Sequence, residues 1–227
     1  MTLDTIRQAV TATGLILRGA FHPETGDKVP AMPSGEPVGT LVLLGFSGGQ
    51  GWASFARSPE FGDGAPDPLD RWSRRIVGTL AAGLEAVAFY PFGGPPFLPF
   101  IAWAQRAEPV YPSPIGMLIH PDWGLWHSYR GALGFAARLV LPVPDHRVSP
   151  CESCSTRPCL TSCPVGAFTP GRYDVAGCAA HLGTVGGADC LGSGCRARRA
   201  CPIGRTVQYE PAQAVFHMQA FRGARRG

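Results

Sequence analysis

The sequence has 227 residues with 45% hydrophobic content, and its 20 basic and 16 acidic side chains leave a formal net charge of +4. This content can fill a core without help from disulfides, and the 30 glycines and 23 prolines stay below the level typical of low-complexity sequence. No apolar run approaches the roughly 18 residues that cross a membrane, so we expect no membrane partner.

The first predicted elements are a helix over residues 2–13 and a buried strand over residues 39–46. Leu3, Ile6 and Val10 share one face of the helix, and the strand reads GTLVLLGF. The glycine-rich loop that follows, SGGQG, fits a tight turn better than a phosphate-binding loop, since it matches no nucleotide-binding fingerprint.

A second helix is predicted from Asp67, an N-cap residue followed by proline, to Gly83. Its buried face should consist of Leu69, Trp72, Ile76 and Leu80. Downstream, the patterns predict a strand over residues 86–92, a helix over 100–108 and a strand over 115–120. This alternation favours layered α/β or α+β architecture over a helical bundle.

Residues 119–133 are predicted to form an aromatic-rich turn between two apolar runs. The segment, IHPDWGLWHSYRGAL, contains His120, Trp123, Trp126, His127, Tyr129 and Arg130. Such side chains could line a flat cofactor, but aromatic residues and single histidines more often pack within the protein. The residues alone leave both interpretations open.

All eight cysteines lie between Cys151 and Cys201. The N-terminal segment lacks the apolar region and cleavage site of an export signal, so we expect a cytoplasmic protein. Clustered thiols in that compartment bind metal or perform redox chemistry more often than they form disulfides. A zinc site would favour paired Cys-x2-Cys motifs, and only Cys151 with Cys154 fits that pattern well.

The cysteine spacing favours two 4Fe-4S clusters. The run Cys-x2-Cys-x4-Cys-x3-Cys-Pro is close to that of bacterial two-cluster ferredoxins, in which the last cysteine ligates the other cluster. Proline turns the residue before it toward an extended conformation, which directs that thiolate away. A second group also ends in Cys-Pro, so we expect exchange between the motifs. We assign Cys151, Cys154, Cys159 and Cys201 to one cluster, and Cys163, Cys178, Cys190 and Cys195 to the other.

Basic charge is concentrated in the last third of the chain, which contains nine arginines and four acidic residues. They include Arg196, Arg198, Arg199 and Arg205, and near the C-terminus Arg222, Arg225 and Arg226. Such charge can mark nucleic-acid binding, but it also offsets the negative charge of thiolate-ligated clusters. We therefore expect that nucleic acid is not a partner.

The aromatic segment, followed closely by the CESC…CP run, resembles the cobalamin-dependent iron-sulfur reductases typified by epoxyqueuosine reductase. It is also similar to the core of the CblC cobalamin-processing proteins. The resemblance is best over residues 119–201, where Cys178 in AGCAAHL matches the second-cluster pattern of the family. The stretch FGGPPFLP lacks the aspartate that epoxyqueuosine reductases carry as a proton donor, so the resemblance does not imply epoxyqueuosine as the substrate.

The resemblance implies an α+β (α/β-layered) fold in two domains. A flavin-reductase/nitroreductase-like, CblC-type domain would occupy residues 1–148, and a ferredoxin-like domain with two 4Fe-4S clusters would occupy residues 149–227. A cobalamin is the further cofactor implied, with flavin less favoured. Its implied contacts are His120, Trp123, Tyr129 and Arg130.

The predicted function is electron transfer by an iron-sulfur oxidoreductase. Electrons from a redox partner protein or other donor would reduce a corrinoid or related cofactor bound in the N-terminal domain. One alternative is a ferredoxin-like carrier or docking partner that has no cofactor beyond its clusters. Another is a zinc-stabilised module that binds nucleic acid.

Overall fold

The computed structural model describes residues 1–169 and 171–224, and it has a mixed helix and strand composition. Its strands are β1 (Ile16–Phe21), β2 (Thr40–Ser47), β3 (Val87–Phe89), β4 (Tyr111–Pro112), β5 (Leu118–Ile119), β6 (His127–Phe135), β7 (Phe168–Thr169) and β8 (Arg172–Tyr173). Its α-helices are α1 (Leu3–Thr11), α2 (Trp52–Ala56), α3 (Pro59–Gly62), α4 (Pro68–Gly83), α5 (Phe100–Ala107), α6 (Pro158–Thr161), α7 (Val175–Leu182), α8 (Ala188–Ser193), α9 (Arg196–Arg199) and α10 (Pro211–Gly223). The expected α+β class is confirmed. Among the described residues, no helix has the length and apolar character that a membrane crossing requires.

The chain divides into two compact units. The first unit comprises Met1–Pro109 and His127–His146, and the second comprises Val110–Trp126 and Arg147–Gly227. This division differs from the linear one expected from the sequence, because the segment before β6 packs with the cysteine-bearing part of the chain. The domain boundary between residues 148 and 149 stays a prediction.

An antiparallel sheet with the strand order β1-β2-β6-β3 forms the first unit. β2 is buried at every position, and it lies one residue downstream of the predicted strand. β6 begins inside the segment that was predicted to be a turn, so that prediction was wrong for residues 127–133. Gly134 of β6 is a close-packing position, since a Cβ there would meet the Phe89 ring at 2.7 Å.

The helix α4 agrees with its prediction in length but not in capping. It begins at Pro68 and ends at Gly83, yet Asp67 adopts a left-handed backbone conformation with φ 51° and makes no side-chain capping hydrogen bond. Val77 is fully buried, whereas Ile76 is only half-buried. The buried face is therefore rotated relative to the predicted one. The predicted strand over residues 86–92 is shorter, since only Val87–Phe89 pair with β6.

A buried ion pair ties β1 to the end of α5 within the first unit. The Arg18 guanidinium lies 2.8 Å from the Glu108 carboxylate, and neither side chain is more than 5% exposed. The same guanidinium donates a hydrogen bond to the Phe46 carbonyl oxygen at 2.9 Å. Buried charges of this kind are tolerated only when they are paired and hydrogen-bonded, so these contacts hold the strand and helix in one arrangement.

The second unit is built around a small hydrophobic cluster that contains cysteines. Ile119, Leu125, Phe168 and Ala197 are buried in it together with Ile115, Cys159 and Cys201. Within this unit, residues 110–126 contact the backbone near Ile203 closely. A Cβ on Gly124, whose φ is +55°, would meet the Ile203 carbonyl oxygen at 2.1 Å. Only glycine permits that approach.

The ion pair between α3 and α4 gives a pH-dependent prediction. Glu60 accepts hydrogen bonds from Arg75 at 2.5 Å and 2.8 Å, and these lower the pKa of Glu60 to about 2. The pair therefore stabilises the fold fully above pH 4.5, the ordinary pKa of a glutamate, and stops doing so as the pH falls toward 2. We expect Glu60→Gln to lower the free energy of unfolding by about 1 kcal/mol at pH 7.

Urea denaturation at pH 7 and at pH 3 would measure this effect, with Glu36→Gln as the control. Glu36 is exposed, and its carboxylate accepts a 3.3 Å hydrogen bond from Ser34, so its replacement should change little. An equal loss of stability for Glu60→Gln at both pH values would contradict the assignment.

Candidate metal centre

The eight cysteines all belong to the second unit, and none of them forms a disulfide. Loops and short helices carry them. Cys159 lies on α6, Cys178 on α7 and Cys190 on α8, while Cys195 caps α9.

One group of four cysteines lines a single cavity of about 260 Å³. Its members are Cys151, Cys154, Cys159 and Cys201. Their thiols are close enough to influence one another's ionisation, and both Cys201 and Cys154 raise the pKa of Cys159, after the larger effect of burial. Cys201 joins three residues more than forty positions earlier in the chain, as the Cys-Pro spacing predicted.

The other four cysteines also lie near one another. Burial raises the pKa of Cys178, and Cys163 and Cys190 raise it further. Burial likewise raises the pKa of Cys195, with smaller contributions from Cys190 and Cys178. The structure thus places the members of each group, as assigned from the sequence, near one another. The binding of clusters by these groups stays a prediction.

Hydrogen-bond donors point at the sulfur atoms of both groups. The Ala167 amide donates to Cys163 Sγ at 3.3 Å, and the amides of Ala197 and Arg198 donate to Cys195. In the first group, the Ile203 amide donates to Cys201. Such donors stabilise anionic sulfur, which is the form that ligates iron.

These groups suit a cationic metal assembly more than they suit bare thiolates. Burial and neighbouring thiols hold several of the cysteine pKa values above their usual range, so free thiolates here would be costly. A bound metal removes that cost, since metal binding displaces the thiol protons. Within the described ranges, no three His, Cys, Asp or Glu side chains form a group that could hold one metal ion. A 4Fe-4S cluster does not need such a group, because each of its irons takes one cysteine.

The predicted cofactor contacts fall on both units. His120 and Trp123 belong to the second unit, where their rings stack with centroids 4.0 Å apart. His120 is buried, and its Nδ1 accepts a hydrogen bond from the Asp122 amide at 3.0 Å, so Nε2 carries the proton of the neutral ring. Trp123 is half-buried, and the role of both residues as cofactor contacts stays a prediction.

Tyr129 and Arg130 belong to the first unit and contact acidic residues there. The Tyr129 hydroxyl donates to the Glu108 carboxylate, and burial raises the pKa of both groups. Arg130 pairs with Asp70 and donates from Nε to the Ser73 hydroxyl at 3.1 Å. These partners fix both side chains within their own unit, and their role as cofactor contacts stays a prediction.

One feature of the second unit was not apparent from the sequence. The Arg198 guanidinium lies over the rings of both Trp126 and Tyr209, 4.4 Å and 4.3 Å from their centroids, and donates to the Leu125 carbonyl oxygen. Arg198 therefore packs against residues of its own unit.

The remaining basic residues singled out in the sequence have mixed positions. Arg196 and Arg199 both pair with Asp189, and Arg205 is exposed. Arg225 and Arg226 lie outside the described residues. Asp189 could be seen in the sequence. Its pairing with Arg196 and Arg199, however, depends on the turn between α8 and α9.

Solved structures similar to this chain are epoxyqueuosine reductases. One, bound to an epoxyqueuosine-modified tRNA-Tyr stem loop, has a TM-score of 0.53 at 15% identity, and the match covers 91% of this chain and 66% of that one. The structure from Streptococcus thermophilus has a TM-score of 0.52 at 15% identity, with 92% of this chain and 68% of that chain covered. A selenomethionine-labelled epoxyqueuosine reductase gives 0.51 at 15% identity, with 93% and 68% covered.

These similarities show that the chain shares the fold of epoxyqueuosine reductases while spanning about two thirds of their length. No protein-family model matches the sequence. No curated protein matches it either. The tRNA stem loop in one of the similar structures speaks against the expectation that nucleic acid is not a partner. We do not retain that expectation.

The grouping of the cysteines predicts the result of paired substitutions. Cys159→Ala with Cys201→Ala removes two ligands from one group, so iron should fall from about eight to about four atoms per chain. Cys159→Ala with Cys163→Ala removes one ligand from each group, although these residues are only four positions apart. This second pair should weaken both clusters and lower the iron below that of the first pair.

Iron and acid-labile sulfide assays on anaerobically purified variants would measure this difference. Circular dichroism serves as the folding control. Equal iron content in the two double variants would contradict the assignment of the cysteines to two groups. About four irons per chain in the Cys159→Ala, Cys163→Ala variant would contradict it as well.

Proposed function

We propose that this protein transfers electrons through two 4Fe-4S clusters, one held by each group of cysteines. The observation that carries the proposal is the convergence of Cys201 on Cys151, Cys154 and Cys159 around one cavity. In two-cluster ferredoxins, the last cysteine of a motif likewise ligates the cluster that the other motif holds.

The residues of the second unit would hold and insulate the clusters. The eight thiolates are the ligands, and the clusters would accept and release single electrons. The amides of Ala167 and Ile203 would offset part of the negative charge on the sulfur atoms. Ile119, Leu125 and Phe168 exclude water from the cysteine-bearing core, which limits the exposure of the clusters to solvent.

The more specific proposal is that the electrons reduce a corrinoid. It is supported by the sequence resemblance over residues 119–201 and by the ring of Trp123, which is held parallel to His120 and partly exposed. A flat aromatic face of this kind suits a large planar cofactor. The alternative is a ferredoxin-like carrier that passes its electrons to another protein and binds no further cofactor.

The substrate proposal does not extend to epoxyqueuosine. The similar structures are epoxyqueuosine reductases, but FGGPPFLP carries no acid, whereas the family that the sequence resembles has a proton-donating aspartate there. An RNA stem loop is nevertheless a reasonable ligand to test, because one of the similar reductases is bound to a tRNA stem loop. Its binding should weaken steeply with salt if phosphate contacts dominate.

Cobalamin binding separates the corrinoid proposal from the carrier alternative. Anaerobic titration of the purified protein with hydroxocobalamin should give a saturable spectral change, and dithionite-reduced protein should then reduce the bound cobalt. Trp123→Ala should weaken binding by roughly tenfold, the loss of one stacking contact. Iron content should stay unchanged.

Trp52→Phe provides the matched control, because Trp52 is a buried tryptophan of the first unit. Saturable binding that is unaffected by Trp123→Ala would remove Trp123 from the site. No binding of cobalamin or of flavin, together with intact clusters, would favour the carrier.

A further inference from the structure

Cys151 lies on the border between two cavities of the second unit. It is one of the four cysteines around the inner cavity of about 260 Å³. It also lines a larger outer cavity of about 790 Å³, and among the residues described around that cavity it is the only cysteine. Cys151 is half-buried, whereas Cys159 and Cys201 are buried. A partner that occupies the outer cavity therefore reaches the first group of cysteines at Cys151.

Apolar and aromatic side chains form much of the wall of the outer cavity. Ile115 and Leu160 belong to it, together with the rings of Tyr111 and Tyr173. The Tyr111 hydroxyl donates to the Arg147 carbonyl oxygen, so its ring is held in place before any partner arrives. Apolar surface surrounded by charged side chains is the usual composition of a protein interface.

Two exposed arginines border the same cavity, and we call this surface the Arg157–Arg172 groove. Neither side chain makes an ion pair or a hydrogen bond with the part of the chain that the structure describes. Glu152 is the acidic residue of the groove, which leaves two positive charges against one negative charge. The excess of positive charge is complementary to an acidic partner.

Other arginines of the second unit differ from this pair because acidic residues already neutralise them. Arg196 and Arg199 pair with Asp189, and Arg147 pairs with Asp122. The charges of the groove are therefore available to an incoming partner. A small ligand would instead require several fixed polar groups that converge on it. The charged side chains of the groove are all exposed, and this favours a protein surface over a small molecule.

We propose that the Arg157–Arg172 groove docks an acidic electron-donor protein beside Cys151. The inference rests on the proposed function, because it requires a cluster on the first group of cysteines. Transfer of electrons slows steeply with distance, and this groove brings the redox centre of a donor close to a ligand sulfur. The donor loses one electron and the first cluster gains it, with no bond or proton exchanged. Complexes of this kind are small and short-lived, and charge steers their association.

The test is stopped-flow reduction of the anaerobic protein by reduced plant-type ferredoxin, an acidic one-electron carrier. Arg157→Asn with Arg172→Gln should lower the second-order rate constant by roughly tenfold at low salt. Asparagine suits position 157, where φ is 39°. The rates of variant and wild type should converge at about 0.5 M salt, because ions screen the attraction. Calorimetric titration of the two oxidised proteins should show the same loss of affinity.

Arg196→Gln is the matched control for Arg172→Gln. Both changes remove one positive charge from the second unit, but Arg196 lies 3.6 Å from Asp189 and does not line the groove. Arg172→Gln should slow reduction by roughly threefold, while Arg196→Gln should leave the rate almost unchanged. Arg172→Lys keeps the charge and should keep the rate. Equal slowing by Arg172→Gln and Arg196→Gln would overturn the proposal, because it would trace the effect to net charge.

Reduced methyl viologen, a small cation, separates docking from damage to the clusters. It should reduce the double variant at least as fast as wild type, and slowing equal to that with ferredoxin would overturn the proposal. An RNA stem loop could bind wild type and not the double variant while ferredoxin reduction stays unaltered. That result would assign the groove to RNA and overturn the proposal as well.

The remaining outcomes separate this inference from the proposed function. Suppose that wild type has a full complement of iron and labile sulfide, and that neither salt nor the arginine substitutions slow its reduction by ferredoxin. The groove is then overturned and the two clusters stand. Ferredoxin that neither binds nor reduces such protein has the same meaning. Wild-type protein without clusters overturns both proposals.

Discussion

The arrangement of the second unit depends on one constraint, the interleaving of its two groups of cysteines. Cys201, the last cysteine in the chain, lies with Cys151, Cys154 and Cys159. Cys163, which follows these three in the sequence, instead lies near Cys178 and raises its pKa. The first group encloses the second in the sequence, because Cys201 lies beyond all four cysteines of the second group. The first group is therefore complete only when the chain between Cys163 and Cys195 has folded, so its formation and the folding of the unit are coupled.

Electrostatics explain why the two groups of cysteines suit a bound metal assembly better than free thiolates. Four thiols lie around each centre, and burial together with mutual repulsion raises the pKa of several of them. The amide donors offset only part of that cost. Arginines in the same region make specific contacts: Arg205 opposes the rise in the pKa of Cys201 that burial causes, whereas Arg198 lies over the rings of Trp126 and Tyr209.

The sequence was most informative where function restricts spacing. The division of eight cysteines into two groups followed from two Cys-Pro endings, and the long elements α4 and β2 followed from their apolar patterns. β1 was not predicted, and the start of β6 was taken for a turn because its aromatic and polar side chains lie between two apolar runs. The close backbone contact of Gly124 with Ile203, which links residues 110–126 to the later part of the second unit, is revealed by no local pattern.

Metal and sulfide analysis of wild-type protein purified without oxygen would show whether each group of cysteines holds a 4Fe-4S cluster. We expect brown protein with about eight irons and eight acid-labile sulfides per chain, and with little zinc. Colourless protein that contains zinc and no labile sulfide would contradict it, and the proposed transfer of electrons would then lack a carrier.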